Sequence, residues 1–302
     1  MKLLITGSAG FVGSHIAEQA IAKGWDVSAL DNFSTGKQEN LPQAGVTIFH
    51  SSVTDYPSVH SLINIIQPDV ISHQAAQPSL RTSIDRPDFD ALTNIIGTIN
   101  IIKAAREVGA HVILASTSAV YDSDGNLPYL EDDDVSPTLP YGISKASAEM
   151  YLIHSGLSYT VFRYGNVYGE RQVEVGENQL VPHCLNHLLH SKPFFINGDG
   201  TRTRDFVYAG DVARANIMAA EAKPQGIYNI ATGQGVSVQR VCETLAGLCG
   251  KKDYSFEHGD SKAGEAMHVA LDSTKANLAF GWKAQTSLQD GLRKVVLWEK
   301  RK

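Results

Sequence analysis

A tyrosine and a lysine four residues apart, Tyr141 and Lys145, are a pair that could do chemistry. They lie in the segment LPYGISKASAEMY, and on a helix positions i and i+4 face the same way. An ammonium group beside a phenol favours the phenolate and lowers its pKa, and such a phenol can take a proton from an alcohol. The spacing therefore fits a general base acting on a hydroxyl, although a chance surface pair would show the same spacing.

Three glycines between a strand-like and a helical segment form a second motif. Gly7, Gly10 and Gly13 lie in ITGSAGFVGSHI. Glycines there let the backbone approach a pyrophosphate, and the N-terminus of the following helix supplies free N–H groups and a favourable dipole. The spacing is G-x-x-G-x-x-G rather than the commoner G-x-G-x-x-G, but its position after a strand and before a helix predicts a dinucleotide site.

Asp31 ends the second predicted strand, WDVSALD, 18 residues after Gly13. An acid at this place accepts hydrogen bonds from both ribose hydroxyls of NAD and repels the 2′-phosphate of NADP. The segment that follows, NFSTG, contains no arginine that could bind that phosphate. The sequence therefore predicts NAD as the cofactor.

Alternating elements must position these residues. Strand-like and helical patterns alternate from the N-terminus to about residue 165, which predicts an α/β fold with a Rossmann-type doubly wound parallel sheet. The later pattern is irregular and predicts a smaller, mixed C-terminal substrate domain, although GIYNIATG (226–233) could return to the main sheet. The predicted boundaries are 1–166 with 206–232 for the NAD-binding domain, and 167–205 with 233–302 for the substrate-binding domain.

Composition and charge exclude several classes of function. The chain has 302 residues, a formal net charge of −6 and no long basic run, which argues against nucleic acid as a partner. No apolar stretch reaches the roughly 20 residues that span a bilayer, so no membrane contact is predicted. The three cysteines give an odd count without a disulfide framework, which favours the cytoplasm.

Three histidines, His183, His187 and His190, fall on one face of a predicted helix. Their spacing could bind a metal ion, but the segment lacks an acidic partner and the chemistry described above needs no metal. We therefore predict no metal site and interpret these histidines as a surface or interface face.

The glycine motif, the segment LASTSAVY (114–121) and the Tyr141–Lys145 pair occur together in one chain. With them the chain resembles the extended short-chain dehydrogenase/reductase family, and within it the NAD-dependent nucleotide-sugar epimerases of the UDP-glucose 4-epimerase type. The resemblance covers nearly the whole length and includes further segments: LDNFSTG, NIIGTINII, PYGISKASAE, RYGNVYG, GDGTRTRDFVYAGDVA and LQDGLRKVVLW. It implies bound NAD, a UDP-hexose substrate, and a homodimer formed through the helix around 94–107 and the helix after Tyr141.

The resemblance also implies catalytic roles. Tyr141 is expected to be the base, and Lys145 to hold the nicotinamide ribose and lower the pKa of the tyrosine. Thr117 is expected to be the hydroxyl partner, although spacing alone does not separate it from Ser116 and Ser118.

Wider sets of binding residues follow from the same resemblance. The residues implied to bind the cofactor are Gly7, Gly10, Phe11, Val12, Gly13, Asp31, Asn32, Ser34, Thr35, Gly36, Ser52, Val53, Gln74, Ala75, Ala76, Gln77, Asn94, Thr117, Tyr141, Lys145 and Tyr164. The residues implied to bind the substrate are Thr117, Tyr141, Asn166, Gln179, Leu180, Phe195, Arg204 and Lys262. Several positions depart from the family pattern, among them Lys262, which stands where relatives have an arginine, and Ser52, which stands where they have an aspartate.

The reaction implied is epimerisation of a nucleotide sugar, of the UDP-glucose/UDP-galactose type, through a transient 4-keto intermediate. Related dehydratases and decarboxylases carry an acid in the triplet that is Thr117-Ser118-Ala119 here, so elimination is disfavoured. Two alternatives remain at this point. One is a reductase or dehydrogenase with net redox, which would use the same Tyr–Lys pair, and the other is a catalytically idle NAD-binding protein.

Overall fold

A seven-stranded parallel sheet forms the centre of the molecule. The computed structural model describes residues 1–123, 125–173, 179–260 and 266–301. The strands are β1 Lys2–Thr6, β2 Asp26–Asp31, β3 Val46–His50, β4 Val70–His73, β5 His111–Thr117, β6 Tyr159–Tyr164, β7 Asn166–Tyr168, β8 Phe195–Asn197, β9 Thr203–Tyr208, β10 Gly226–Ile230, β11 Gly235–Ser237 and β12 Glu257–Gly259. The helices are α1 Phe11–Ala22, α2 Tyr56–Ile66, α3 Leu80–Asp85, α4 Pro87–Ala91, α5 Gly97–Val108, α6 Pro140–Ile153, α7 Leu180–Leu189, α8 Ala209–Ala222, α9 Val238–Leu248, α10 Thr274–Phe280 and α11 Leu288–Glu299.

The central sheet has the strand order β10-β6-β5-β4-β1-β2-β3, and each neighbouring pair is parallel. This confirms the predicted Rossmann-type fold. The prediction that the segment 226–233 returns to the central sheet is also confirmed, because β10 pairs with β6 at the edge of this sheet. The strand order reverses between β1 and β4, and ligands of such sheets bind in the crevice outside the carboxyl ends of the strands at that point.

Helices cover both faces of the sheet, because successive strand residues point to opposite faces. Leu3 and Ile5 pack in one buried cluster with residues of α1 and α8. Leu4 packs in a second cluster with residues of α2, α5 and α6. Within the described ranges, none of these helices combines the length and the apolar character that a bilayer crossing requires.

A smaller unit stands beside the carboxyl ends of the strands. It contains a three-stranded mixed sheet of order β11-β9-β7 and the parallel pair β12-β8. A separate buried cluster holds α7, α9 and α11 against these strands. The predicted domain boundaries stay a prediction. Within the range 206–232, helix α8 packs on α1 beside the central sheet, whereas the end of β9 belongs to the smaller sheet.

Candidate active site

Two adjoining cavities open at the carboxyl edge of the central sheet. One, the cofactor cavity, has a volume of about 530 Å³ and is lined by the glycine motif, Asp31 and the ends of β4 and β5. The other, the substrate cavity, has a volume of about 620 Å³ and lies between that edge and the smaller unit. Both volumes fall in the range of small-molecule sites. Tyr141 lines both cavities.

Beneath the cofactor cavity, the main chain at the glycines of the motif packs tightly against neighbouring main-chain atoms. Gly7 has φ +64°, and a Cβ atom there would lie 2.7 Å from the nitrogen of Ala75. A Cβ atom on Gly13 would lie 2.2 Å from the carbonyl oxygen of Gly7. Helix α1 begins at Phe11 without a side-chain cap, so its first N–H groups are available to an anion. The motif therefore fits a pyrophosphate.

Asp31 is buried at the end of β2 and holds the glycine loop. Its Oδ2 accepts a hydrogen bond from the Ala9 N–H at 2.8 Å, and its Oδ1 accepts one from the Phe33 N–H at 2.8 Å. Each carboxylate oxygen has a further lone pair. Asp31 can therefore accept ribose hydroxyls while it anchors the loop, which fits NAD.

Most of the predicted cofactor residues meet at this cavity. Those that line it are Gly7, Gly10, Phe11, Val12, Gly13, Asp31, Asn32, Ser34, Thr35, Ser52, Val53, Gln74, Ala75, Ala76, Gln77, Tyr141, Lys145 and Tyr164. Three others lie elsewhere. Gly36 packs against Ala9 behind the loop, and Thr117 lines the substrate cavity. Asn94 is buried and does not line the cavity. Its Oδ1 accepts a hydrogen bond from the Gln77 N–H and its Nδ2 donates to the Gln77 carbonyl oxygen, so it positions a residue of the cavity wall.

Tyr141 and Thr117 are brought together by the close approach of α6 to the end of β5. Helix α6 begins at Pro140, a favoured residue in a first turn. A Cβ atom on Gly142 would lie 2.3 Å from the Ala119 carbonyl oxygen, so only glycine allows this approach. As a result, the Thr117 hydroxyl lies close enough to the Tyr141 phenol to act on its pKa.

Burial raises the pKa of Tyr141 to about 12; the Thr117 hydroxyl acts in the lowering direction and the Asp90 carboxylate in the raising direction. Burial outweighs the lowering action of Thr117 because a phenolate is costly to desolvate, and the expected action of Lys145 on this pKa stays a prediction. A bound cation beside the phenol would be needed to bring the pKa down.

Lys145 is buried one helical turn after Tyr141 and lines the cofactor cavity. Burial lowers its pKa to about 8, while the carboxylates of Glu149 and Asp90 act in the raising direction. The two acids therefore help to keep the ammonium group charged. Glu149 was not singled out from the sequence.

The predicted substrate residues lie around the second cavity. Those that line it are Thr117, Tyr141, Asn166, Gln179, Leu180, Phe195 and Arg204, whereas Lys262 lies outside the described residues. Asp205 accepts hydrogen bonds from the N–H groups of Thr232 and Gly233 at 2.7 and 2.8 Å, and so fixes the loop after β10. Arg204 donates through Nη1 to the Thr203 carbonyl oxygen at 2.9 Å.

Several cavity residues were missed in the sequence. Gln172 lines both cavities, and its side-chain oxygen finds no hydrogen-bond partner among the described residues. The same holds for Gln179, which was predicted as a substrate residue. Arg171 lines the cofactor cavity and donates to Glu18 at 2.8 Å. Arg171 and Gln172 lie outside the helices and strands, where no periodic pattern could have marked them.

The histidines of α7 were interpreted wrongly as a surface or interface face. His183 and His187 line the substrate cavity, and only His190 is exposed. The spacing of the histidines along the helix was predicted correctly. The side of α7 that carries His183 and His187 forms part of the cavity wall, whereas the prediction had assigned it to the protein surface.

Known proteins resemble this chain in sequence and in fold. The model of the NAD-dependent epimerase/dehydratase family matches residues 3–231. The chain belongs to the NAD-dependent epimerase/dehydratase family. It is 34% identical over 307 residues to a UDP-glucose 4-epimerase of Mycolicibacterium smegmatis, an alignment that covers 98% of this chain and 97% of the relative.

Two solved structures of epimerases share the whole fold of this family member. The UDP-glucose 4-epimerase of Thermotoga maritima, solved with UDP-glucose, has a TM-score of 0.94 and 36% identity, and the match covers 100% of this chain and 99% of that one. The UDP-glucose 4-epimerase of Thermus thermophilus, solved with NAD, has a TM-score of 0.91 and 35% identity over 99% of both chains. NAD is therefore the cofactor, in agreement with the glycine motif and Asp31.

Proposed function

We propose that the protein is an NAD-dependent nucleotide-sugar epimerase that interconverts sugars of the UDP-glucose/UDP-galactose type through a transient 4-keto intermediate. The observation that carries the proposal is the position of Tyr141, which lines both cavities, with Thr117 beside it in the substrate cavity. A sugar hydroxyl beside this phenol would adjoin the cofactor cavity. The names of the relatives support the same reaction.

The same proposal assigns a role to each of the chain's own residues at the site. Bound NAD would supply a reversible hydride acceptor and a positive charge that lowers the pKa of Tyr141. Tyr141 then takes the proton of the sugar hydroxyl at its phenol oxygen and returns it after the keto-sugar has turned over. Thr117 orients the phenol and the hydroxyl, and Lys145 holds the cofactor ribose. The sugar is oxidised and then reduced, so no net redox occurs.

Elimination is not supported by the residues at the end of β5. The triplet Thr117-Ser118-Ala119 lines the substrate cavity without a carboxylate. Loss of water from the neighbouring carbon needs a general acid there. Inversion of a hydroxyl needs only the phenol and the cofactor.

The test uses the purified protein without added cofactor. UDP-glucose, UDP-galactose and UDP-N-acetylglucosamine are each supplied, and products are followed by proton NMR. We expect conversion between the gluco and galacto forms, and Tyr141→Phe to reduce it by roughly a thousandfold while bound NAD is retained. NADH that accumulates with product would instead indicate a dehydrogenase, and no conversion of any sugar with NAD bound would indicate an idle site.

A homodimer is proposed from an exposed apolar face. Ile143, Met150 and Tyr151 on α6 are 50%, 55% and 53% exposed, and Ile96 just before α5 is 43% exposed. Helices α5 and α6 pack side by side, so the face is continuous, and a second copy would cover it. We expect a dimer in analytical ultracentrifugation and a monomer for Tyr151→Glu. A wild-type monomer would contradict this.

A cytoplasmic location is proposed from the thiols. Cys184, Cys242 and Cys249 are all free, as is usual for proteins of a reducing compartment. Cell fractionation with an antibody to the protein would test the location.

A further inference from the structure

Three aromatic rings cluster on the wall of the substrate cavity that α7 and the start of β8 provide. The ring centroids of His183 and His187 lie 4.5 Å apart, and both rings contact Phe194, at 5.3 and 5.5 Å. All three residues line the cavity. The proposed chemistry at Tyr141 and Thr117 uses none of them, so the cluster needs another explanation.

The proton on His187 can be placed from its contacts. Its Nδ1 lies 3.0 Å from the carbonyl oxygen of His183, one helical turn earlier. A carbonyl oxygen only accepts, so Nδ1 carries the hydrogen and donates. In a neutral imidazole the other nitrogen, Nε2, is then an acceptor. The ring packing against His183 and Phe194 fixes the direction of this acceptor.

The proposed substrate also contains a nucleobase, which must lie in the same cavity. The sugar must lie against Tyr141 and Thr117 for the chemistry to occur. Arg204 on β9 is a cavity cation suited to a diphosphate. One wall of this cavity is built from α7 and residues 194–197, and it carries the three rings and the acceptor of His187. Such a surface suits a planar heterocycle.

We propose that His187 selects the nucleobase, accepting at Nε2 a hydrogen bond from the N3–H group of a uracil or thymine ring. This inference rests on the proposed nucleotide-sugar function. In cytosine N3 is unprotonated, so two lone pairs would face each other across the same contact. The site would therefore discriminate against cytosine by repulsion as well as by a lost hydrogen bond.

The test is equilibrium binding of UDP, dTDP and CDP to the purified NAD-bound protein, measured by calorimetry. His187→Phe keeps an aromatic ring in the cluster and removes the acceptor. We expect the wild type to prefer UDP or dTDP over CDP, and the variant to lose about tenfold of that preference. If His187→Phe does not retain NAD, His187→Leu makes the same test.

His190→Phe is the matched control. His190 donates from Nδ1 to the Asn186 carbonyl oxygen at 2.8 Å, in the same way as His187, but it is exposed at the end of the helix and does not line the cavity. Its variant should keep the wild-type preference. An unchanged preference in the His187 variant, an equal loss for all three nucleotides, or a wild type that does not prefer UDP or dTDP would overturn the inference.

Binding of UDP requires no turnover, so the two proposals can fail separately. Epimerisation with no base preference would overturn only the role of His187. A base preference that depends on His187 without epimerisation would overturn only the proposed function.

Discussion

Glu149 and Arg163 form a buried ion pair beneath the catalytic residues, with 2.8 Å between Glu149 Oε2 and Arg163 Nη2 and both side chains only 3% exposed. Ser116 also donates to the Glu149 carboxylate. The pair therefore joins α6, β6 and the end of β5. Thr117 follows Ser116 directly, and Lys145 lies one helical turn before Glu149, so the ion pair positions both.

The substitution Glu149→Gln should lower the free energy of unfolding by about 3–5 kcal/mol, because it leaves the Arg163 guanidinium buried without its counter-charge. Urea unfolding followed by circular dichroism measures this. Asp290→Asn is the control, since Asp290 pairs with Arg293 on the exposed face of α11 and exposed pairs contribute little. Similar losses in the two variants would show that the buried pair has no special role.

The substitution Thr117→Val should reduce kcat by roughly tenfold to a hundredfold, because it removes the hydroxyl beside the Tyr141 phenol. That hydroxyl acts to lower the pKa of the phenol, so its loss should also move the acid limb of the pH–rate profile to higher pH. Thr117→Ser keeps the hydroxyl and should restore most of the rate. A valine variant with the wild-type rate and profile would exclude Thr117 from the reaction.

The substitution Asp31→Asn should weaken NAD binding by about tenfold and reduce the preference for NAD over NADP, because an amide has one acceptor oxygen and no negative charge. Fluorescence titration with both cofactors measures the preference. Asp26→Asn is a matched control on the same strand, since Asp26 is exposed at the start of β2, away from the cavity. If both variants behave alike, the role of Asp31 in the cofactor site is wrong.

His73 should make the fold sensitive to acid. Burial lowers its pKa to about 3, with the Lys145 ammonium acting in the same direction, against an ordinary value of 6.5. Between these values the unfolded chain binds a proton that the folded protein does not, so stability falls as the pH drops below 6.5. From pH 7.5 to pH 5 the wild type should lose about 2 kcal/mol more stability than His73→Gln. Parallel losses in urea unfolding at the two pH values would contradict this assignment.

Local sequence patterns were sufficient to predict the central sheet and those site residues whose relative positions are set within one short segment. The glycines, Asp31 and the Tyr141–Lys145 pair lie at strand ends or on one helix turn, so their relative positions follow from strand and helix geometry. The cofactor cavity was predictable for the same reason, because parallel strands bring their carboxyl ends to one edge.

Residues that act through packing between distant segments could not be predicted in this way. Arg171 and Gln172 lie in irregular chain, and the inward face of His183 and His187 depends on how α7 packs on β8. Glu131 opens an acidic run in 131–134, a composition typical of a solvated loop, yet its carboxylate accepts the Asn229 N–H in the interior. No local pattern carries this information.

The sequence by itself determined the fold class, the NAD motif and the order of catalytic residue types, because strand alternation, helical period and glycine spacing are properties of short segments. The tertiary structure alone decided that Tyr141 lies between two cavities, that burial raises its pKa instead of lowering it, and that a histidine ring faces the substrate side. These properties depend on desolvation and on contacts between segments far apart in the chain, and both arise only when the segments pack.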